Sequence, residues 1–337
     1  MTTVALSEEQ RMLVETAAQM VADHPTRNEA EIERARSTGA LWSALVANGF
    51  IEMIVPDVCE PADEPTLNGA LVVEQLAQGL SAVPYLGTLL ALGLLDAAHL
   101  SGAHLAEILA GRPACVVLDW TLSTPAMEGI AVDAAPGALV IGSDGHVVCA
   151  SVLGEPLEAV DPSRLLATAV GPALELGSAV PEAMTRWTAR ALALVCADLV
   201  GTCAAALEGA VGHARAREQF GRPIGSFQAV QHLCAEQLVS VEASRSIVWQ
   251  AAWAVDALRP AEALATAQVA KAYCSEMART VCEAAIQVWG GLGMTWECPA
   301  HRYLRRALLD RQLLGNERDL LAVIARERLG PDEWQAR

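Results

Sequence analysis

Three stretches in the C-terminal half constrain this chain more than any other feature. Residues 182–215 carry three glycines and no proline, and residues 227–258 and 261–288 carry neither. At 1.5 Å per residue, a thirty-residue helix reaches roughly 45 Å, and a helix that long needs similar antiparallel neighbours along its length. Their interruptions are Gly221-Arg222-Pro223-Ile224-Gly225, then Arg259-Pro260, then Gly290-Gly291-Leu292-Gly293, with a last helix expected over 317–329. A bundle of long antiparallel helices is the expectation for 179–330.

The rest of the chain has a different texture. Residues 1–112 read as shorter helices. Ser7-Glu8-Glu9-Gln10 resembles a capping start, and Met12, Leu13, Ala17, Met20 and Val21 follow at helical period. A second helix is expected over 29–48, ended by Gly49. A loop punctuated by Pro56, Pro61 and Pro65 follows, then helices over 67–79 and 88–99 separated by Pro84. Between 113 and 178, short Val-rich runs (114–118, 138–141, 146–152) are bounded by Gly, Pro, Asp and Ser, and Ser143-Asp144-Gly145 suits a hairpin. The expected organisation is a helical domain over 1–112, a reduced β-domain over 113–178 and a helical bundle over 179–330: mainly α with a small β-domain.

Charge and cysteine usage exclude several functions. With 40 acidic against 23 basic side chains, the net charge of −17 repels phosphate backbones, which argues against nucleic-acid binding. The basic residues are 22 Arg and the single Lys271, which fits codon bias in a GC-rich genome. Nine cysteines without a C-x-x-C pair fit free thiols in a reducing compartment, and the seven scattered histidines form no metal-ligand cluster. The N-terminus places acids where a signal peptide needs a basic start, and the longest apolar run, near 85–98, is too short to span a bilayer. A cytoplasmic protein with no membrane partner is expected.

Two segments carry chemistry. Arg217-Glu218-Gln219-Phe220-Gly221-Arg222-Pro223-Ile224-Gly225-Ser226-Phe227-Gln228 sets an Arg fork suited to phosphate and an aromatic face between two long helices. The alternative is a helix connection whose Phe plugs the core. About seventy residues later, the run from Gln287 through Gly290, Gly291 and Gly293 to Glu297 and Pro299 offers glycines that admit a pyrophosphate close to the backbone. It follows a helix and not a strand, so a Rossmann reading fails its own context.

Together these segments resemble the C-terminal domain of the acyl-CoA dehydrogenase family, whose members show R-x-x-F-G-x-x-I-x-x-F-Q and then Q-x-x-G-G-x-G-x-x-x-E-x-P followed by R. Arg217, Phe220, Gly221, Ile224, Phe227 and Gln228 match the first motif. Gln287, Gly290, Gly291, Gly293, Glu297 and Pro299 match the second, with Arg302 and Arg305 beyond. Leu6 to Gln10 and Ala82-Val83-Pro84 also resemble the family's N-terminal part. The resemblance implies an acyl-CoA dehydrogenase-like fold and FAD as cofactor. Arg217 would contact the pyrophosphate, with Phe220 and Gln228 flanking the cofactor, and Gln287, Gly290 and Gly291 would come from a neighbouring protomer. It also implies an acyl-CoA substrate, α,β-desaturation, and an electron-transfer flavoprotein as acceptor.

The family's base is a Glu in one of two registers. Here those registers hold Leu314 and Ala191, and an apolar side chain takes no proton. Asp310, Glu317, Asp198 and Glu208 lie nearby but read as solvated or helix-end charges. The T-E-x-x-x-G-S-D and W-I-T/S segments that frame the flavin ring are missing from the β-domain. These departures resemble a subset of the family in which two short dehydrogenase-like chains form an α2β2 heterotetramer in bacteria that degrade sterol side chains. The implied function is a flavoprotein subunit whose partner supplies the base, in a hetero-complex or by self-association. The alternatives are a non-catalytic structural or regulatory subunit, or a helical binding module unrelated to flavins.

Overall fold

The computed structural model describes residues 5–26, 28–54 and 64–330, so Pro56, Cys59 and Pro61 of the sequence reading lie outside the described residues. Helix α1 (Glu8–Asp23) opens with the expected capping box, the Ser7 hydroxyl accepting from the Gln10 N–H and the Gln10 side chain accepting from the Ser7 N–H. The expected helix over 29–48 is two helices, α2 (Glu29–Thr38) and α3 (Ala40–Ala47). Gly39 breaks it: its φ of 57° ends α2 in a left-handed cap, with its N–H still bonded to Ala35 O. Helices α4 (Pro65–Gln78), α5 (Tyr85–Ala97) and α6 (Ala103–Leu109) complete this part, and Tyr85 and the α5 leucines are buried.

Five strands follow: β1 (Ala114–Leu118), β2 (Gly129–Val132), β3 (Leu139–Ser143), β4 (Val147–Leu157) and β5 (Leu166–Ser178). They close into a barrel in the order β1-β2-β5-β4-β3, with β1 and β3 parallel and the other neighbours antiparallel. Ser143-Asp144-Gly145 is the β3–β4 turn, the Asp144 carboxylate accepting from the His146 and Val147 N–H groups. Sequence patterning did not single out β2 and β5. The first is four residues long, and the second is Ala- and Gly-rich with Pro172 at its middle, so neither gives a clean apolar alternation.

The bundle matches the expected long stretches: α7 (Pro181–Ala216), α8 (Gln228–Ala257) and α9 (Pro260–Trp289), then α10 (Ala300–Asp310) and α11 (Glu317–Leu329). Helix α7 has the length and hydropathy to cross a membrane, but 83% of its apolar window is buried within this fold. Small residues let it lie close to its neighbours: a Cβ on Gly201 would stand 2.1 Å from Glu74 O of α4. All eight described cysteines are free, and seven are buried as small apolar side chains.

Candidate functional site

Both motif turns lie at one end of the bundle. The α7–α8 connection is a tight hairpin in which β6 (Glu218–Gln219) pairs with β7 (Arg222–Pro223), leaving Phe220-Gly221 at the tip. Both tip residues have positive φ, 54° and 75°, as a two-residue primed turn requires. Glycine adopts this backbone freely, whereas for phenylalanine it is uncommon and costly. Phe220 is nevertheless held there with 92% of its surface exposed, so it does not plug the core. Its ring meets Phe227 edge-on at 6.2 Å, and the Arg222 guanidinium lies 4.2 Å over the Phe227 ring.

The second turn follows α9, where Gly290 takes a φ of 64° to end the helix. The two turns touch within one chain: His213, one helical turn before Arg217, stacks on Trp289 with ring centroids 4.1 Å apart and planes 22° from parallel. Burial, and then the Arg217 charge, lower the His213 pKa, which favours the neutral ring against the indole. Arg217, Gln228, Gln287, Gly290 and Gly291 are all exposed. A Cβ on Gly221, Gly290 or Gly291 would meet no atom within 4 Å. The end therefore presents a cation, two amides, an aromatic face and open backbone, a donor set that fits an adenosine diphosphate group.

The two base registers lie elsewhere, in the core. Ala191 is 1% exposed on α7 and Leu314 is 6% exposed after α10. Leu314 has a φ of 62°, and its N–H donates to Leu122 O at 2.6 Å. Leu122 belongs to a β1–β2 loop wound around Asp119, whose carboxylate accepts from the Thr121 and Ser123 N–H groups and from the Thr121 and Thr124 hydroxyls. The turn is held from behind by the chain's only lysine. Lys271 Nζ, fully buried, donates to Ser275 Oγ, Arg311 O and Gly315 O, each at 3.0 Å. Burial draws its pKa down to about 8.

Two of the nearby acids are not the solvated charges that the sequence suggested. Asp198 and Asp310 are 2% and 0% exposed, in an ion cluster between barrel and bundle. Arg164, from the β4–β5 connection, reaches three carboxylates: Nε to Asp310 at 3.0 Å, one terminal nitrogen to Asp133 at 3.0 Å and the other to Asp198 at 2.7 Å. Arg306 of α10 grips Asp198 with two bonds of 2.7 and 3.0 Å and donates to Ser163 Oγ. The two acids titrate apart. Burial alone would raise Asp198, but Arg306 and Arg164 outweigh it and hold the carboxyl well below its usual range, whereas burial wins at Asp310 and pushes it up. Of the other two acids, Glu317 pairs with Arg311, and Glu208 is exposed. Sequence reasoning missed Arg164, Arg306 and Asp133; Asp133 was signalled only as a charge inside an apolar run, and Arg164 and Arg306, which follow polar neighbours, carried no such signal.

Comparisons with known proteins identify the family and the fold. Residues 183–329 match the model for the acyl-CoA dehydrogenase C-terminal domain, and residues 7–98 match the model for the N-terminal domain of the same family. Acyl-CoA dehydrogenase IpdE2 of Mycobacterium tuberculosis is 32% identical, covering 98% of this chain and 98% of its own length. Acyl-CoA dehydrogenase FadE34 of the same organism is 32% identical over 87% of this chain, which spans 43% of that longer protein. Among solved structures, the ChsE4-ChsE5 complex of Mycobacterium tuberculosis superposes with a TM-score of 0.79 at 21% identity, covering 97% of this chain and 99% of that one. Glutaryl-coenzyme A dehydrogenase superposes with a TM-score of 0.80 at 19% identity, covering 98% and 97%. These structures share the fold.

Proposed function

Because the chain belongs to the acyl-CoA dehydrogenase family, we propose that it works as a flavoprotein subunit in the α,β-desaturation of an acyl-CoA, with a second dehydrogenase-like chain supplying the base. Its substrate is a steroid side-chain CoA thioester, the class suggested by a similar structure named as a steroid ACAD. When bound, FAD would supply the hydride acceptor for such a desaturation, and a carboxylate would have to take the α-proton. This chain's part is to hold the cofactor. Arg217 pairs with the pyrophosphate, Gln228 and Gln287 donate to its oxygens or to the ribose, Phe220 lends its ring, and Gly290 and Gly291 let the backbone approach. The His213–Trp289 stack favours one protomer presenting both turns to the same cofactor, rather than sharing them between protomers. Electrons leave to an electron-transfer flavoprotein, and the free thiols suit a reducing cytoplasm.

One observation carries the division of labour. Leu314, with a buried apolar side chain, stands where the base is expected, so no carboxylate of this chain occupies that register. Proton abstraction needs a base within roughly 3 Å of the substrate carbon. The chain purified alone is expected not to desaturate any CoA thioester. Co-expressed with a dehydrogenase-like chain encoded beside it, it is expected to yield a yellow complex whose flavin is bleached by its substrate. Turnover by the unpartnered chain, abolished by changing Asp310 or Glu317, would overturn this reading. A colourless complex would favour the structural-subunit alternative.

A further inference from the structure

The junction of barrel and bundle holds more buried acid than buried cation. Asp133, Asp161, Asp198 and Asp310 are each no more than 3% exposed, and Arg164 and Arg306 are set among them. Lys271 of α9 acts on Asp310 from further off, its Nζ bonded to Ser275 Oγ, Arg311 O and Gly315 O. Even with that lysine counted, three cations would face four anions if every carboxyl were ionised, and unmatched charge out of water is expensive.

The donors are shared unequally. Asp133 accepts from Gly87 N–H and Arg164, and Asp161 accepts from the Ser163 N–H and hydroxyl. Asp198 accepts three charge-assisted bonds, one from Arg164 at 2.7 Å and two from Arg306 at 2.7 and 3.0 Å. Asp310 accepts one, on Oδ1 from Arg164 Nε at 3.0 Å. Its Oδ2 has no hydrogen-bond partner among the described residues, Arg306 Nε standing 4.0 Å away. The Asp198 and Asp310 carboxyls lie within hydrogen-bond reach of each other. Two ionised carboxylates at that range repel and have no hydrogen to share. A proton on Asp310 removes one buried charge, gives Oδ2 a partner and makes the contact attractive.

We propose that one proton is held between these two side chains, carried on Asp310 Oδ2 and donated in a hydrogen bond to ionised Asp198, so that the tie between barrel and bundle weakens as pH rises. Held this way, Asp310 is a donor and not a proton acceptor. The arrangement needs neither flavin nor a partner chain, so its failure leaves the proposed function untouched.

The sign follows from linkage. Burial raises Asp310 well above its ordinary 3.8 in the folded chain, so its contribution is full below that value and is lost as pH climbs towards the folded one. Over that window folding takes up one proton, and the folding constant falls tenfold per pH unit from this group. Asp310→Asn keeps a donor for Asp198 but carries no titrating proton. Urea unfolding of the full chain at pH 5, 6 and 7 should therefore show the ratio of folding constants, variant over wild type, rising about tenfold per pH unit. Infrared spectra of wild type at pH 7 should contain the carbonyl stretch of an un-ionised carboxylic acid that is missing from Asp310→Asn. Should the Asn variant not fold, Asp198→Asn serves: without its ionised partner, Asp310 ionises between two guanidiniums and the same band is lost. A ratio that does not change with pH, or a band that survives in either variant, would overturn the proposal.

Discussion

The centre of this molecule and the far end of its bundle treat polar groups in opposite ways. At the centre, Arg164, Arg306, Asp133, Asp198 and Asp310 are all nearly inaccessible, and the arginines spend their donors on carboxylates and Ser163. At the end, Arg217, Gln228 and Gln287 stand in solvent beside a phenyl ring held out on a primed turn. Buried charge must be compensated internally, so the centre works as a tie between barrel and bundle. Exposed donors cost little while water serves them, so they remain free for a ligand. The contrast separates two uses of polar groups: Leu314 and Ala191 are buried in the core, and the surface that carries both motif turns remains open to solvent.

The largest effect expected from breaking this contrast lies at the centre. Asp198→Ala leaves two guanidiniums buried without their shared partner, and should destabilise the fold by about 3–5 kcal/mol, read as a lowered urea midpoint. A loss under about 1 kcal/mol would mean that the cluster is not a tie.

At the open end the pattern should invert. Arg217→Ala should leave the urea midpoint nearly unchanged, yet weaken flavin retention in the complex by about 1.5–3 kcal/mol, the scale of a charge-assisted hydrogen bond. Visible absorbance per purified chain measures this, and unchanged flavin content would remove Arg217 from the cradle.

A pH experiment sharpens the closed side. Burial, and then Asp133, push the Cys115 thiol up to about 12 from an ordinary 9.0. Its folded-state pKa is raised, so its contribution is full below pH 9 and is lost as pH climbs towards 12. By pH 10 the unfolded thiol ionises while the folded one does not, which costs about 1.4 kcal/mol of stability. Cys115→Ala should show a correspondingly shallower fall in urea midpoint between pH 8 and 10.

The smallest expected effect concerns the stack that joins the two turns. His213→Ala should weaken flavin retention by about 0.5–1.5 kcal/mol, and His213→Phe, which can still stack on Trp289, should restore most of it. Equal retention in all three proteins would separate the two turns functionally.

The sequence by itself determined whatever is local in origin. The Ser7 capping box, strand β1, the three long helices, the last helix and the spacing of both motifs are each decided by side chains within a few residues of one another. Gly39 marks the limit of that reading, since an apolar pattern running past it reads as one helix when a left-handed cap makes it two. Only the tertiary structure decided the rest. A lone Asp looks the same in sequence whether water or an arginine surrounds it, and positions 133, 164, 198, 306 and 310 meet only once barrel and bundle are assembled. Phe220 likewise could plug a core or stand in solvent until the backbone of its turn was fixed. That position 314 holds an apolar side chain is plain in the sequence; that this side chain is buried, with its backbone N–H bonded to Leu122 O nearly two hundred residues away, is decided by the fold. Covalent neighbours set local conformation, but burial and pairing depend on contacts between residues far apart in the chain.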